Sequence, residues 1–276
     1  MLRLRRLGGR SACACMRFGG QTSVTWTHGQ DEVPLPYRFA SLFSILNHDV
    51  IMETGQVRTT DKQLIVILER ANLDIVKIDG QFRQPTSYQL LNCDEHMFMI
   101  RKLKKDPAFC RPDIVYQCLQ VLLHSPLNRS GHLQIYVRSQ NNELFKVDPQ
   151  FAVPDTFEGF TKVIVQLLHN LRPVRAKSCS KQLLKLLKNP VTLHLPVGIP
   201  KYGTSSKAKR VIRASEIVPK KDSPHDSIAV VIGAMAHESC EPDYVDETFS
   251  ISRYPLSAAL VCAKITTAFE EAWGIS

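Results

Sequence analysis

Two continuous apolar runs along the chain predict strands that are buried on both faces. Residues 64–68 read Leu-Ile-Val-Ile-Leu and residues 228–232 read Ile-Ala-Val-Val-Ile, so β-branched side chains are frequent in both. Runs of this length and composition are typical of central strands in a parallel sheet that helices cover on both sides. A further short strand is predicted over residues 88–91. The pattern indicates an α/β fold.

Apolar residues that recur at spacings of three and four predict the helices of this fold. They cover residues 112–124, 157–171 and 256–273. Pro112 and Pro255 suit the starts of the first and the last of these helices. Asp155, with a glutamate three residues later, has the pattern of a capping box at the start of the middle helix.

A hairpin and two short helices complete the predicted elements. The hairpin joins strands at 133–137 and 144–147 through two asparagines, whose side chains tolerate turn conformations. One short helix is predicted over residues 71–78. The other covers residues 183–188, where leucines form one face, lysines form the opposite face, and Pro190 ends the pattern.

The first 60 residues show no sustained periodicity and are predicted to be an extension that precedes a single domain over residues 61–276. Five arginines and no acidic residue occur before Asp31. This composition is that of an organelle transit peptide. An unstructured extension is the simpler interpretation, and we favour it.

The chain is also basic beyond this extension. Lys and Arg outnumber Asp and Glu by 35 to 26 in the whole chain and by 28 to 22 over residues 61–276. A basic domain is expected near polyanions such as RNA or an anionic membrane. The densest basic segment is 201–221, where seven basic residues accompany Glu216 alone. The longest apolar run, 228–236, is far shorter than the roughly 20 residues of a membrane-spanning helix, so we expect a soluble protein without a membrane partner.

Several common chemistries have no support in the sequence. The eight cysteines are scattered without a CxxC pair, which indicates reduced thiols and no structural metal site. The motifs of phosphate-binding loops, serine hydrolases and zinc hydrolases do not occur. The residues after the first strand, Glu69-Arg70-Ala71-Asn72, lack the glycines of a dinucleotide site.

Two segments near the C-terminus have the features of a ligand site. Gly233 follows the apolar strand at 228–232, where a small residue lets a ligand approach the backbone closely. Residues 251–256 form a second loop that enters the last helix, and free backbone N–H groups there can receive a polar ligand. A tight turn and ordinary helix capping are the alternatives that involve no ligand.

The same region carries a family resemblance, which extends over residues 62–276. The strings that carry it are Tyr254-Pro255-Leu256-Ser257-Ala258-Ala259, Thr267-Ala268-Phe269-Glu270-Glu271-Ala272-Trp273, Leu90-Leu91-Asn92-Cys93-Asp94, Arg111-Pro112-Asp113-Ile114, Ser125-Pro126-Leu127-Asn128-Arg129, Val165-Gln166-Leu167-Leu168-His169 and Leu184-Lys185-Leu186-Leu187-Lys188-Asn189-Pro190. With them the chain resembles the eukaryotic methyltransferases of the SPOUT class that modify ring nitrogen 1 of a pseudouridine in small-subunit ribosomal RNA.

The resemblance implies a trefoil-knotted α/β fold, with a parallel sheet, flanking helices and a β-hairpin insertion, and it implies a homodimer. The resemblance implies S-adenosylmethionine as the cofactor and small-subunit ribosomal RNA in the pre-ribosome as the partner. The location that it implies is the nucleolus, within the nucleus. The mitochondrion is the alternative location that the arginine-rich start suggests. The implied cofactor residues are Thr204, Gly233, Glu238, Ile251, Ser252, Arg253, Tyr254, Pro255 and Leu256.

The resemblance also implies a contact with RNA at Arg111 and Arg129. Asp113 is expected to hold the Arg111 guanidinium through a charge-assisted hydrogen bond. No residue stands out as the base that accepts the proton of the ring nitrogen, so no catalytic residue is assigned.

The chain departs from the family pattern at five positions. Ala152, Asp155 and Gly159 stand where family members have arginines, so RNA binding is expected to be weaker and less dependent on salt. Glu238 and Arg253 stand where the family usually has glycine and asparagine. Glu238 either occludes the cofactor or pairs with Arg253 and leaves the pocket open. The alternative function is therefore a weakened or inactive relative that acts as an RNA-binding assembly protein of the pre-ribosome.

Overall fold

A mostly parallel sheet lies at the centre of the structure, a computed structural model that describes residues 62–78, 86–176, 180–219, 226–236 and 240–275. The strands are β1 (Leu64–Ala71), β2 (Ile75–Ile78), β3 (Ser87–Leu90), β4 (Leu133–Ser139), β5 (Leu144–Val147), β6 (Val174–Arg175), β7 (Gln182–Leu187), β8 (Lys201–Thr204), β9 (Ile228–Gly233) and β10 (Glu247–Phe249). The helices are α1 (Met97–Lys102), α2 (Asp113–His124), α3 (Pro126–Arg129), α4 (Phe157–Leu168) and α5 (Ala258–Trp273), with short 3-10 helices at Pro107–Phe109, Val191–His194 and Ala214–Glu216.

The sheet joins a parallel half to an antiparallel half at β4. Its strand order is β10-β8-β9-β1-β4-β5-β7-β6. The strands from β10 to β4 run parallel, whereas β5, β7 and β6 are antiparallel to their neighbours. β2 and β3 form a separate antiparallel ribbon. The carboxyl ends of the parallel strands therefore share one edge, which is where open α/β sheets bind ligands.

The central strands are buried on both faces, as their apolar runs predict. On one face, helices α2, α4 and α5 pack in a cluster that includes Val66 and Phe269, both fully buried. On the other face, Ile67 and Val231 pack with Ile199 from the segment before β8. Full burial of such a side chain contributes about 1.5–3 kcal/mol, so these two layers hold β1 and β9 firmly in place.

The predicted hairpin is confirmed. β4 and β5 pair in antiparallel register, from Ile135 opposite Val147 to Arg138 opposite Leu144. Asn142, in the turn, adopts the left-handed conformation with φ 70°. This conformation is one that asparagine tolerates better than most residues, because its short polar side chain can bond locally.

The three long helices are confirmed, although α4 ends at Leu168 and the residues that precede α4 and α5 as caps differ from those predicted. Thr156, not Asp155, caps α4, because its hydroxyl accepts the hydrogen bond from the Gly159 amide at 3.1 Å. Ser257 caps α5 in the same way, so Pro255 lies in the loop before the helix. Both true caps are hydroxyl residues with extended backbone, the usual choice for this position.

The two short helices were predicted wrongly, since both segments form strands. Residues 71–78 end β1 and continue into β2, which pairs with β3. Residues 182–187 form β7, which pairs with β5 on one side and β6 on the other. Along β7, Leu184 is buried and Lys185 is exposed, which is the alternation of a strand. The spacing of leucines and lysines in this segment also suits a helix. Pairing with neighbouring strands decided between the two patterns.

Three of the seven basic residues in the segment at 201–221 form ion pairs within the described chain. Its ion pairs are Lys201 with Asp246 at 3.3 Å, Arg210 with Glu247, and Arg213 with Glu216 at 3.0 Å. The segment is thus a weaker candidate for a polyanion site than its composition indicates.

The predicted extension at residues 1–60 lies outside the described residues, so its interpretation stays a prediction. Among the helices that the structure describes, none is both long and apolar enough to cross a membrane.

Candidate active site

A pocket of about 260 Å³ opens at the carboxyl ends of β8 and β9, beside the loop that leads into α5. Its lining residues are Thr204, Ser205, Ser206, Ile232, Gly233, Met235, Ala236, Cys240, Ser250, Ile251, Ser252, Tyr254, Pro255, Leu256, Ala258 and Val261. They come from three separate parts of the chain. We call this the knot pocket, because its walls are the loops that the knotted fold would interlink.

Close packing of β8 between two strands sets the first wall of the knot pocket. The Thr204 hydroxyl donates to the Val231 carbonyl of β9 at 3.0 Å. On the other side, a Cβ at Gly203 would lie 2.9 Å from the Thr248 hydroxyl oxygen of β10. A larger residue at 203 would therefore push β8 and β10 apart and move Thr204.

The loop at 250–256 is tied to the loop that follows β8. The Ser250 amide donates to the Arg210 carbonyl at 2.8 Å, and the Ile212 amide donates to the Ser250 carbonyl at 2.9 Å. Within the loop, the Tyr254 amide donates to the Ser252 hydroxyl at 3.0 Å. These bonds link two segments that are distant in sequence. They also fix the backbone that borders the pocket.

Gly233, at the end of β9, has close neighbours. A Cβ there would lie 3.2 Å from the Cys240 Cβ and 3.3 Å from the Met235 Cε. Burial, followed by the nearby Glu69 carboxylate, raises the pKa of the Cys240 thiol to about 12. The thiol therefore stays protonated near neutral pH and forms an inert wall.

The lining of the knot pocket suits a nucleoside joined to an amino acid. Ile232, Met235, Leu256 and Val261 provide apolar surface for a ring, while serine and threonine hydroxyls and loop backbone groups provide polar contacts. The described residues contain no cluster of three or more side chains that would hold a metal ion. S-adenosylmethionine, which has an adenine ring and a charged amino acid end, fits this donor set.

Seven of the nine predicted cofactor residues line the knot pocket, namely Thr204, Gly233, Ile251, Ser252, Tyr254, Pro255 and Leu256. Arg253 belongs to the same loop, but it is exposed and is not part of the lining. Glu238 lies outside the described residues, so its two alternatives, occlusion or pairing with Arg253, both stay predictions. Sequence reasoning missed Met235, Cys240 and Val261, whose apolar character gave no sign of contact with a ligand.

A polar cluster lies at the adjacent strand ends, and it was not predicted either. The buried Glu69 carboxylate accepts hydrogen bonds from Arg138 Nη1 and from the Tyr244 hydroxyl, both at 2.8 Å. Burial raises the pKa of Glu69, although both hydrogen bonds oppose the rise. An acidic residue at the end of an apolar strand was the available signal. Neither Arg138 nor Tyr244 could have been associated with it, because both are distant from Glu69 in sequence.

The pair predicted to contact RNA is preorganised at the start of α2. Arg111 donates to both carboxylate oxygens of Asp113, from Nε at 2.8 Å and from Nη2 at 2.7 Å. The hydrogen bond with Asp113 raises the pKa of Arg111 above its usual value. Arg111 keeps 39% of its side-chain surface exposed, so the fixed guanidinium is available to a phosphate.

Arg129 lies at the other end of α2 from this pair. Helix α2 has 12 residues and is therefore about 18 Å long, and Arg129 follows it at the end of α3. From there the chain enters β4 at its amino end, opposite the edge that holds the knot pocket. The structure does not bring Arg129 together with Arg111, and its contact with RNA stays a prediction.

The segment with the missing arginines lies against the first turns of α2. The Tyr116 hydroxyl of α2 donates to the carbonyls of Pro154 and Asp155, at 3.1 and 2.9 Å. Ala152 and Asp155 are exposed. Their side chains thus occupy surface next to the start of α2, where arginines would extend the positive charge of Arg111.

The fold of the chain is shared with a solved protein. Nep1 from Archaeoglobus fulgidus, in a crystal structure with bound S-adenosylhomocysteine, is similar in fold, with a TM-score of 0.62 over 77% of this chain and 99% of that one. The two sequences are 19% identical, so this similarity concerns the fold alone.

Sequence comparison shows the family to which the chain belongs. A model of the EMG1/NEP1 methyltransferase family matches residues 66–270. The ribosomal RNA small subunit methyltransferase NEP1 of Homo sapiens is 48% identical over 214 residues, which are 78% of this chain and 83% of the human protein. The protein of the same name from Drosophila melanogaster is 45% identical over 223 residues, 79% of this chain and 86% of its own length. The chain belongs to the EMG1/NEP1 methyltransferase family, which confirms the resemblance.

Proposed function

We propose that this protein binds S-adenosylmethionine in the knot pocket and methylates ring nitrogen 1 of a pseudouridine in small-subunit ribosomal RNA. The observation that carries the proposal is the assembly of Thr204, Gly233 and the loop at 250–256 around one pocket. The names of the human and fly relatives support the ribosomal RNA substrate. The choice of pseudouridine rests on the family resemblance.

The residues of this chain serve mainly to position the reactants. When bound, the cofactor supplies a methyl group that is already electrophilic. The hydrogen-bonded loops hold the pocket backbone in place, and the apolar wall at Ile232 and Val261 limits access of water. A base inside an RNA helix has to be flipped out before it reaches such a pocket. Binding and orientation of the RNA are therefore as important as the cofactor site.

A second candidate function is favoured by the segment at 152–159. Ala152 and Asp155 are exposed, in the segment that contacts α2, and offer no positive charge to a phosphate. Each lost contact with a charged group is worth on the order of 1.5–3 kcal/mol. The second candidate is therefore a weakened or inactive relative that acts as an RNA-binding assembly protein of the pre-ribosome.

The experiment that separates the two functions is methyl transfer to a hairpin that contains one pseudouridine. The hairpin is copied from the small-subunit ribosomal RNA, and the same hairpin with uridine serves as the control. The enzyme function predicts one added methyl group on the pseudouridine hairpin and none on the control. Cofactor binding without any transfer would favour the assembly protein.

The proposal includes a homodimer. Tyr254 and Leu260, at the start of α5, have 78% and 44% of their surface exposed, and Pro255 between them is exposed as well. An apolar strip of this kind on a soluble protein is commonly an interaction surface. Sedimentation of the wild type and of Leu260→Glu tests the dimer. We expect the wild type to sediment as a dimer and the variant as a monomer. A wild type that sediments as a monomer would contradict the dimer.

We place the protein in the nucleolus, where small-subunit RNA is assembled, with the mitochondrion as the alternative. Fluorescent fusions of the whole chain and of residues 61–276 test the location. A nucleolar signal from both fusions supports the first location. A mitochondrial signal that depends on residues 1–60 supports the second.

A further inference from the structure

Helix α1 and the turn after it expose large apolar side chains to solvent. Phe98 has 84% of its surface exposed, Met97 has 37%, and Leu103, directly after the helix, has 49%. Ile100 is the buried residue of this short helix. Exposed apolar side chains that lie together on a surface commonly mark a site of interaction. We call this surface the α1 patch and define it by Met97, Phe98, Arg101, Lys102, Leu103 and Lys104.

The three cations of the α1 patch are available to a partner. Arg101, Lys102 and Lys104 are all exposed, and their side chains form no ion pair or hydrogen bond within the part of the chain that the structure describes. The acidic residues Asp94 and Glu95 precede the other end of the helix. Positive charge is therefore concentrated at the C-terminal end of α1, next to the exposed apolar groups.

The stability of the helix accounts for only part of this composition. Cations near the C-terminus of a helix interact favourably with its dipole, which suits Arg101 and Lys102. The dipole gives no reason for the exposed ring of Phe98. Lys104 also adopts the left-handed conformation with φ 52°, which glycine or asparagine would adopt at a lower cost. An exposed ring and a strained lysine are both features of a surface that binds a partner.

The α1 patch lies at the edge of the sheet that carries the knot pocket. Lys105, directly after the patch, forms an ion pair with Asp74, which follows the carboxyl end of β1. The other carboxylate oxygen of Asp74 accepts a hydrogen bond from Asn141 Nδ2, in the turn after β4, at 2.6 Å. These bonds attach the end of α1 to the carboxyl ends of two central strands.

The support of α1 is also continuous with Arg111. Ile100 belongs to a buried cluster with Leu91 and Cys110, the residue before Arg111. The Cys93 amide donates to the Cys110 carbonyl at 2.9 Å. The chain therefore passes directly from the cluster that anchors α1 to the guanidinium that is predicted to contact RNA.

The groups of the α1 patch favour RNA with unpaired bases as the partner. Proteins bind single strands with cations that contact the phosphates and with aromatic rings on which bases stack. A duplex hides the faces of its bases, so the ring of Phe98 is complementary to a single strand. An acidic protein segment would also suit a basic and apolar surface. The continuity with Arg111 and the net charge of +9 favour the nucleic acid.

We propose that the α1 patch binds a single-stranded segment of RNA that flanks the target hairpin. Phe98 stacks on an unpaired base, while Arg101, Lys102 and Lys104 contact phosphates. The inference rests on the proposed function, to which it adds a second contact with the RNA. This contact supplies positive charge that the exposed residues of the segment at 152–159 do not offer.

The test measures how much a single-stranded tail strengthens binding of the full chain to the pseudouridine hairpin. Fluorescence anisotropy compares the hairpin alone with hairpins that carry a uridine tail at the 5′ end or at the 3′ end. Each tail has about eight nucleotides, a length that single-strand sites commonly cover. We expect the wild type to bind at least one tailed hairpin more tightly by roughly tenfold, because of one stacked base and a few phosphate contacts. Equal affinity for all the RNAs would overturn the inference.

Substitutions separate the contributions of the ring and of the cations. Phe98→Ala should lose most of the gain from the tail, whereas Phe98→Tyr keeps a ring that stacks and should retain the gain. Arg101→Gln combined with Lys102→Gln and Lys104→Gln should also lose the gain. For the tailed hairpin, the slope of log K against log salt should become shallower by about 2 in this triple variant, since each phosphate contact on a single strand contributes about 0.7. A full gain in Phe98→Ala would contradict the inference.

Leu193→Ala is the matched control for the loss of an exposed apolar side chain. Leu193 has 70% of its surface exposed and lies outside the α1 patch, in the 3-10 helix at Val191–His194. This variant should keep the gain of the wild type. Substitutions at exposed positions such as Leu193 and Phe98 change the free energy of unfolding little, and thermal melting of each variant monitors the fold.

The outcomes also separate this inference from the function on which it rests. If the wild type methylates the hairpin but neither tail adds affinity, only the present inference is overturned. A gain that depends on Phe98, without methyl transfer, would support the α1 patch and contradict the enzyme function.

A protein partner is distinguished by an amphipathic peptide rich in glutamate and leucine. Binding of this peptide to the wild type but not to Phe98→Ala, with no gain from either tail, would overturn the inference in favour of an acidic protein segment. If the wild type binds none of the hairpins, the proposed function fails, and the inference fails with it.

Discussion

Glu69 and Gly233 lie opposite each other on the adjacent strands β1 and β9, so a buried carboxylate and the glycine of the knot pocket emerge at the same edge of the sheet. The register of two apolar strands creates this relationship, because burial on both faces allows no slip between them. The cofactor site and the polar cluster are thus fixed by the same packed core.

Enlarging Gly233 should block the knot pocket. In Gly233→Val, the new side chain would contact Cys240 and Met235, since even a Cβ lies 3.2 and 3.3 Å from their nearest atoms. Because the added methyl groups would also take up space in the wall of the pocket, we expect calorimetry to show S-adenosylhomocysteine binding weakened about tenfold or more. The overpacking itself should lower the free energy of unfolding by about 1–3 kcal/mol. Gly274→Ala is the control. It strains the left-handed cap of α5 and should lower stability by about 1 kcal/mol with affinity unchanged. Equal affinity in Gly233→Val would mean that this wall does not contact the cofactor.

Restoring two arginines should strengthen RNA binding. Ala152→Arg with Asp155→Arg places two cations on exposed positions of the segment that contacts α2. Fluorescence anisotropy should show affinity for the hairpin higher by about tenfold or more, and the slope of log K against log salt should steepen by about 1–2. Gly159 is left unchanged, because a Cβ there would lie 3.0 Å from the Pro154 Cβ.

A glutamine pair at the same two positions provides the control for this gain. Ala152→Gln with Asp155→Gln lengthens both side chains without adding positive charge. Its salt slope should stay near that of the wild type. A slope in the arginine variant that equals the wild-type slope would show that RNA does not pass over this surface.

Arg111 and Asp113 should act as a unit in binding RNA. The bidentate bonds at 2.7 and 2.8 Å fix the guanidinium, so Asp113→Asn should weaken hairpin binding, by roughly three- to tenfold. In the background of Arg111→Met, the same change at Asp113 should have almost no effect. Binding constants of the four proteins in this double-mutant cycle give the coupling directly. Additive effects of the two substitutions would exclude a shared role.

The stability of the protein should respond to the ionisation of Glu69. Because burial raises its pKa in the folded state above the ordinary 4.5, the stability that Glu69 contributes is present below pH 4.5 and is lost as the pH rises through the folded-state pKa. The free energy of unfolding, measured with urea, should therefore fall in the wild type relative to Glu69→Gln as the pH rises from 4.5 to neutrality. Glu158→Gln is the control, because the bond with Lys162 lowers the pKa of Glu158 and places its effect below pH 4.5. A difference in the free energy of unfolding between wild type and Glu69→Gln that does not change with pH would indicate that the pKa of the Glu69 carboxyl is not raised.

The long elements of the fold were predictable because their local patterns agree with their packing. The apolar runs at 64–68 and 228–232 became the central strands, and the spacing from Asp113 to His124 became α2. The segment at 183–188 was not predictable, because leucines at these spacings fit one face of a helix as well as a strand. Only pairing with β5 and β6, which comes from distant sequence, decides it.

The site was predictable in part, from the family resemblance. The resemblance pointed to Thr204, Gly233 and the loop at 251–256, most of which line one pocket in the structure. The Glu69 cluster was not found, because its three members lie on β1, on β4 and after β9, and only the sheet brings them together. Polar groups that meet solely through tertiary structure leave no spacing in the sequence to recognise.

The most direct test of the central claim is calorimetric titration of the full chain with S-adenosylmethionine. The account predicts saturable binding of one cofactor per chain at micromolar affinity, because the loops that line the knot pocket are already hydrogen-bonded in place. It also predicts that Glu238→Gly changes this affinity little. Absence of binding by the wild type would contradict the account, and binding that appears only in Glu238→Gly would show that Glu238 closes the pocket.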